Sequence, residues 1–240
     1  MSGRPHGSGE NWLWGAHAVS AALANPKRQI KRLVGTRNAL DRLGKIAIRA
    51  ECLEPAAIDA LLPRDAVHQG LAVQADPLPP AQIEDVIAAD IQRVAVLDQI
   101  SDPHNLGAIY RSAAAFGFGA VILQTRNAPA ITGVAAKAAV GAIETVMECR
   151  VVNISRALEA LNAAGFHTVG LAGEGSAMIG QAVQGAARVA VVLGAEGPGL
   201  RPGVAKACAE LARIPIAAEM ESLNVSNAAA IAFYEVYRDA

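Results

Sequence analysis

From Val94 onward the apolar positions come as unbroken runs: Val94–Leu97, Ala120–Leu123, Val146–Val151, Thr168–Leu171, Val189–Leu193 and Ile214–Ile216. Ala-rich stretches of helical character separate them. Runs without polar alternation, spaced by helices, describe strands buried on both faces of a parallel sheet, an α/β architecture. Alanine in the intervening helices is a good helix former and lets helix and sheet approach closely. Ahead of these runs, the pattern predicts helix over Ala16–Ala24, strand over Ile30–Val34, helices over Ala39–Ala50 and Ala56–Leu62, and strand over Leu71–Gln74. That is a small α/β module of roughly seventy residues, within the range that folds alone. Between the two regimes, Asp76-Pro-Leu-Pro-Pro80 offers few donors to a helix or sheet. The expected organisation is therefore a flexible tail over 1–10, a first domain over 11–76, a linker over 77–90 and a second domain over 91–240.

Composition narrows the class. The 240 residues are 52% hydrophobic and 18% charged with a net charge of −1, which excludes a disordered chain. No apolar run approaches the roughly 20 residues of a membrane helix. Cys52, Cys149 and Cys208 are odd in number and far apart, which suits a reducing, cytoplasmic setting. The histidines are equally scattered, so no metal site is expected.

The near-neutral total hides a dipolar chain, with ten basic and six acidic residues before Asp76, and eleven basic and sixteen acidic from it onward. Most of the excess lies between Lys27 and Arg49, with Lys27, Arg28, Lys31 and Arg32 at its start. Such a cluster is either a solvated face or a patch that displaces counterions from phosphate.

In open parallel sheets ligands bind beyond the carboxyl ends of the strands, and three loops there are candidates. After Val94–Leu97, Asp102, Pro103 and His104 read as a helix start, with Asn105 and Arg111 near one another on its early turns. After Val189–Leu193 comes Gly194-Ala-Glu-Gly-Pro-Gly-Leu-Arg201. Its glycines permit positive φ and close backbone approach, but the spacing is that of neither a dinucleotide fingerprint nor a P-loop. After Ile214-Pro-Ile216, the stretch Glu221-Ser-Leu-Asn-Val-Ser226 offers Ser222 and Asn224 as helix caps. Singly, each loop also reads as an ordinary capped helix or tight turn.

Taken together, in this order, the three loops resemble the motifs of the SpoU/TrmH class of SPOUT methyltransferases. Gly15-Ala-His-Ala-Val19 and His68-Gln-Gly-Leu-Ala72 resemble landmarks of the amino-terminal RNA-binding domain in the subfamily that modifies a guanosine of 23S rRNA. The resemblance implies transfer of a methyl group from S-adenosylmethionine to a ribose 2′-hydroxyl. It also implies a parallel-sheet domain with a carboxyl-terminal trefoil knot, preceded by a domain like ribosomal protein L30e, and a homodimer with each active site near the subunit interface.

Carried over by position, Asn105 and Arg111 match the first motif, Gly194, Glu196, Gly197 and Gly199 the second, and Ile214, Ser222, Leu223, Asn224 and Ser226 the third. The cofactor is expected at Gly194, Gly197, Gly199, Ile214, Leu223 and Ser226, largely on backbone groups. Asn105, Arg111, Glu196, Ser222 and Asn224 are expected to serve the reaction, and Lys27, Arg28, Lys31 and Arg32 to contact RNA. The chain departs from the pattern at Ala139, where relatives often carry serine, and at Ala218, where a glycine is usual. A guanidinium keeps its proton, so Arg111 is expected to hold a phosphate and lower the hydroxyl's pKa rather than act as the base. A tRNA substrate, a catalytically idle RNA-binding relative and an unrelated nucleotide-binding enzyme are the alternatives.

Overall fold

The computed structural model describes residues 11–126, 131–217 and 219–238. The expected tail over 1–10 and Ala218 lie outside the described residues.

The first module runs β1 (Trp12–Trp14), α1 (Ala16–Ala24), β2 (Ile30–Gly35), α2 (Arg37–Leu43), β3 (Ala50–Cys52), α3 (Pro55–Asp59) and β4 (Leu71–Ala75). Its sheet has the order β1-β4-β2-β3. Strand β1 is absent from the sequence reading: three buried residues, Trp12, Leu13 and Trp14, are too few to show a period. The helix expected over Ala39–Ala50 is corrected to α2, which stops because Gly44 turns left-handed at φ +69°, leaving Ala50 free to start β3.

Part of the expected linker is ordered structure. Residues Ile83–Ala88 form α4, capped reciprocally by Gln82 and Asp85, whose Oδ2 accepts from Gln82 N at 2.8 Å.

The second sheet follows: β5 (Arg93–Leu97), α5 (Pro103–Ala115), β6 (Ala120–Gln124), α6 (Gly133–Ala139), β7 (Met147–Val151), α7 (Ile154–Ala163), β8 (His167–Leu171), β9 (Ala177–Met178), α8 (Ile179–Ala182), β10 (Val189–Leu193), α9 (Pro202–Ala207), β11 (Glu210–Arg213) and α10 (Val225–Arg238). Its order is β7-β6-β5-β10-β8-β11-β9 and every pairing is parallel. The strand expected at Ile214–Ile216 lies instead at Glu210–Arg213, whose polar ends hide it, while Pro215 lacks the donor a ladder needs. Residues 214–216 are thereby released into a loop. The adjacent central strands β5 and β10 are buried along almost their whole length, as their continuous apolar runs require.

The modules are joined tightly. A side chain at Gly133, the start of α6, would meet the Trp14 ring at 1.9 Å, so only glycine fits there. Nearby, Glu144 takes a two-pronged contact from Arg28, Nη2 to Oε1 at 2.6 Å and Nε to Oε2 at 3.2 Å, and a third donor, Asn25 Nδ2, at 2.7 Å. The Arg28 and Glu144 side chains are 5% and 3% exposed. Arg28, expected to touch RNA, is thus corrected to a buried partner of Glu144: its positive charge belongs to the junction and is not offered to solvent.

Candidate active site

The carboxyl ends of β5 and β10 lie side by side in the sheet, and Asp98 N donates to Leu193 O at 2.8 Å where the two strands end. The Asp98 carboxylate is fully buried and accepts from Arg201 N at 3.0 Å and Arg201 Nε at 2.8 Å. This pair pins the first loop to the end of the second. Sequence reasoning missed it, although a carboxylate directly after a buried apolar run was the available signal.

Between those pins, residues 194–199 form a tight hairpin. Ala195 N donates to Gly199 O at 3.1 Å and Gly199 N to Ala195 O at 3.0 Å. Gly197 and Gly199 adopt φ +82° and +69°, conformations that favour glycine. At Gly194 the constraint is steric, since a Cβ would lie 2.2 Å from the Gly199 carbonyl carbon. The hairpin presents Glu196 at its tip.

The third loop meets it there. Glu196 Oε1 accepts from Asn224 Nδ2 at 2.6 Å, Asn105 Nδ2 at 3.3 Å and Val225 N at 3.4 Å, and Asn224 Nδ2 also donates to Asn105 Oδ1 at 3.1 Å. The other end of Asn224 caps α10: its Oδ1 accepts from Ser226 N at 2.9 Å and Ser226 Oγ at 2.6 Å. Asp102 caps α5 in the expected way, accepting from His104 N at 2.9 Å. Four of the singled-out side chains, Asn105, Glu196, Asn224 and Ser226, therefore share one network drawn from three loops far apart in sequence.

Ser222 stands exposed outside that network. Among the described residues, the main-chain groups of Gly194, Ile214 and Leu223 make no hydrogen bond, so their donors and acceptors are free for a ligand. Between Ile214 and Leu223 in sequence, the side chains of Ile216 and Met220 are exposed apolar surface.

Arg111 lies elsewhere. Six helical residues from Asn105 carry it about 9 Å further along α5. It lines a cavity of about 360 Å³ with Ala21, Ala139, Val140, Gly141 and Thr145. Val140 holds a left-handed φ of +54° there, rare for a β-branched residue. The Arg111 side chain is exposed and makes no ion pair or hydrogen bond with another described residue.

Of the basic cluster, Lys27 is exposed, Lys31 pairs with Asp76, and Arg32 makes a fork to Glu51 at 3.0 and 2.9 Å that holds that carboxyl below its ordinary range. No group of His, Cys, Asp and Glu among the described residues has the geometry of a metal site. No helix among them is long and apolar enough to cross a membrane.

A parallel sheet whose late loops knit together at the ends of its central strands, preceded by a small mixed module, is the architecture of solved RNA methyltransferases. A TrmH-family protein from Porphyromonas gingivalis matches with a TM-score of 0.78 and 25% identity over 95% of this chain and 90% of that one. An AdoMet-bound rRNA methyltransferase from Sinorhizobium meliloti has the same fold, with a TM-score of 0.80 and 24% identity over 95% and 86% of the two chains.

The SpoU rRNA Methylase family profile matches residues 92–234, and the profile for RNA 2′-O ribose methyltransferase substrate binding matches residues 12–81. The chain belongs to the SpoU rRNA methylase family. Among curated relatives, the 23S rRNA (guanosine-2′-O-)-methyltransferase RlmB of Vibrio cholerae is 36% identical, over 94% of this chain and 96% of that one. The RlmB protein of Coxiella burnetii is 37% identical over 94% of each.

Proposed function

We propose that this protein methylates the ribose 2′-hydroxyl of a guanosine in 23S rRNA, in the cytoplasm, with S-adenosylmethionine as donor. The observation that carries the reading is the convergence of three loops into the Asn105–Glu196–Asn224 network, beside the uncommitted main chain of Gly194, Ile214 and Leu223. Identity to the RlmB relatives across both modules supports the substrate.

The residues fit such a cofactor: free backbone donors and acceptors suit adenine and ribose, and Gly197 and Gly199 leave open space where a Cβ would stand. When bound, the cofactor supplies a methyl group on a sulfonium that is already reactive. What remains for the protein is to align a poor nucleophile, which contributes up to about 7–11 kcal/mol in ideal cases.

Glu196 holds the amides of Asn105 and Asn224 and thereby sets the third loop against the second, with Ser226 fixing the far end of Asn224. Ser222 borders the cofactor loop. Arg111, always charged, grips the phosphate next to the target ribose and stabilises the developing alkoxide. In this reading, residues 189–238 are threaded as the trefoil knot of the class.

A second copy of the chain completes the site. Ile231, Tyr234 and Tyr237 expose one apolar side of α10, and Phe116 at the end of α5 packs its ring edge on Tyr234 at 6.0 Å. Arg111 is an exposed residue of the same helix α5. An apolar helix face of this kind suits an isologous contact, which would carry Arg111 of one protomer to the loops of its partner.

The test is incubation with labelled S-adenosylmethionine and in vitro transcribed 23S rRNA or total tRNA, followed by mapping of 2′-O-methyl groups. One labelled guanosine in 23S rRNA is expected; label in tRNA alone would reassign the substrate, and calorimetry showing no cofactor binding would end the reading. The same calorimetry checks the hairpin. Gly194→Ala forces a backbone clash that no rotamer relieves, and is expected to weaken cofactor binding by about tenfold or more while leaving the far-ultraviolet circular dichroism spectrum unchanged.

A further inference from the structure

The first module holds a cavity of about 430 Å³ between the start of α2 and the loop leading into β4, lined by Thr36, Asn38, Arg42, Asp59, Val67 and Gln69 among others. That volume is in the range of ligand clefts, and the depression is open to solvent. Its polar groups are available. Thr36 caps α2 without using its hydroxyl, and neither Asn38 nor Arg42 makes a hydrogen bond or ion pair with another described residue. Val67 at the rim is 63% exposed, a large apolar side chain with nothing over it.

The loop is held in a costly shape. Asp65, Gln69 and Gly70 all have left-handed φ, at +70°, +55° and +81°. Non-glycine residues stay in that region only where their surroundings fix them. Here His68 Nδ1 accepts from Gly70 N at 3.0 Å, so the ring's proton sits on Nε2, which faces Asp59 Oδ1 at 3.1 Å. Gln69 Oε1 accepts from Ala16 N at 3.1 Å, which joins the two amino-terminal landmarks physically, and Lys137 of α6 donates to Val67 O. Asp59, the lining carboxylate, accepts from the neutral His68 ring and keeps its negative charge, and Arg42 is the positive charge in the lining.

We propose that this cavity takes one unpaired nucleotide of the substrate RNA. Arg42 meets a backbone phosphate, Thr36, Asn38 and the Gln69 amide nitrogen read the base edge, and Val67 lies against the base. The depression is shallow and open, with room for one splayed base of the kind that single-stranded loops and bulges display. The inference rests on the RNA-methylating reading and moves the grip on RNA away from Lys27–Arg32, where Arg28 is buried and Lys31 and Arg32 are paired.

The test uses the full chain and in vitro transcribed 23S rRNA. Arg42→Glu is expected to raise KM for RNA about tenfold or more, the scale of a lost charge-assisted contact, with kcat at saturating RNA and cofactor affinity unchanged. Asn38→Ala should raise KM by a smaller factor. Lys45→Glu, an equal charge reversal at an exposed position outside the cavity, should change KM by no more than about twofold. A photocrosslinking residue at Val67 should mark a single RNA position. Equal effects of Arg42→Glu and Lys45→Glu, or a crosslink only to protein, would overturn the proposal. Should Arg42→Glu unfold the chain, Asn38→Ala and the crosslink decide. Wild-type protein that labels no RNA would instead overturn the underlying reading, a result visible before any variant is made.

Discussion

Arg111→Ala is expected to lower the rate of methyl transfer by about a hundredfold or more, the scale of losing one preorganised charge at a developing oxyanion, while cofactor affinity stays within a few-fold. The separation follows from position. Arg111 lines a cavity with Ala21, Ala139 and Gly141, and among the described residues shares no hydrogen bond with the Glu196 network. Single-turnover rates and calorimetric titration of the same variant measure the two quantities independently. A parallel loss of binding would show that the arginine serves the cofactor.

Mixing extends the test. If each Arg111 acts on its partner's loops, Arg111→Ala and Glu196→Ala proteins combined after mild dissociation should regain activity that neither has alone. Mixtures as inert as their components would place Arg111 in its own chain's chemistry or outside it.

Glu144→Ala is expected to cost about 3–5 kcal/mol of stability, because it leaves the Arg28 guanidinium buried without its counter-charge. For a chain of this size that is a fall in Tm of about 6–20 °C, readable by calorimetry. Glu51→Ala breaks an equally well-formed fork to Arg32, but in solvent, and should leave Tm nearly unchanged. Burial alone distinguishes the two: the Glu144 side chain is 3% exposed and that of Glu51 44%. Equal Tm shifts for the two variants would refute the account.

The contrast also explains what the chain revealed before its structure. Buried parallel strands announce themselves because both faces are apolar, and so β5, β6, β8 and β10 were legible within a residue or two. Strand β11 was not, since Glu210 and Arg213 break its run and the apolar Ile214-Pro-Ile216 next to it drew the assignment. The loop residues Asn105, Glu196 and Asn224 could be picked out, but their mutual contact is a product of strand order, which no local pattern encodes. The same blindness affected charge. Arg28 and Arg32 look alike in a basic run, yet one faces a carboxylate 116 residues away inside the junction and the other a neighbour on an open surface.

The fit of Trp14 against Gly133 bears on how far this protein can reach. An indole filling the space where a side chain would stand, with a buried ion pair close by, denies the two modules a hinge. If RNA binds at both the amino-terminal cavity and the loop network, the span between them is then a fixed length, and the molecule would work as a caliper. An RNA would be selected by how many ångströms separate two of its nucleotides once folded, as much as by which bases they are.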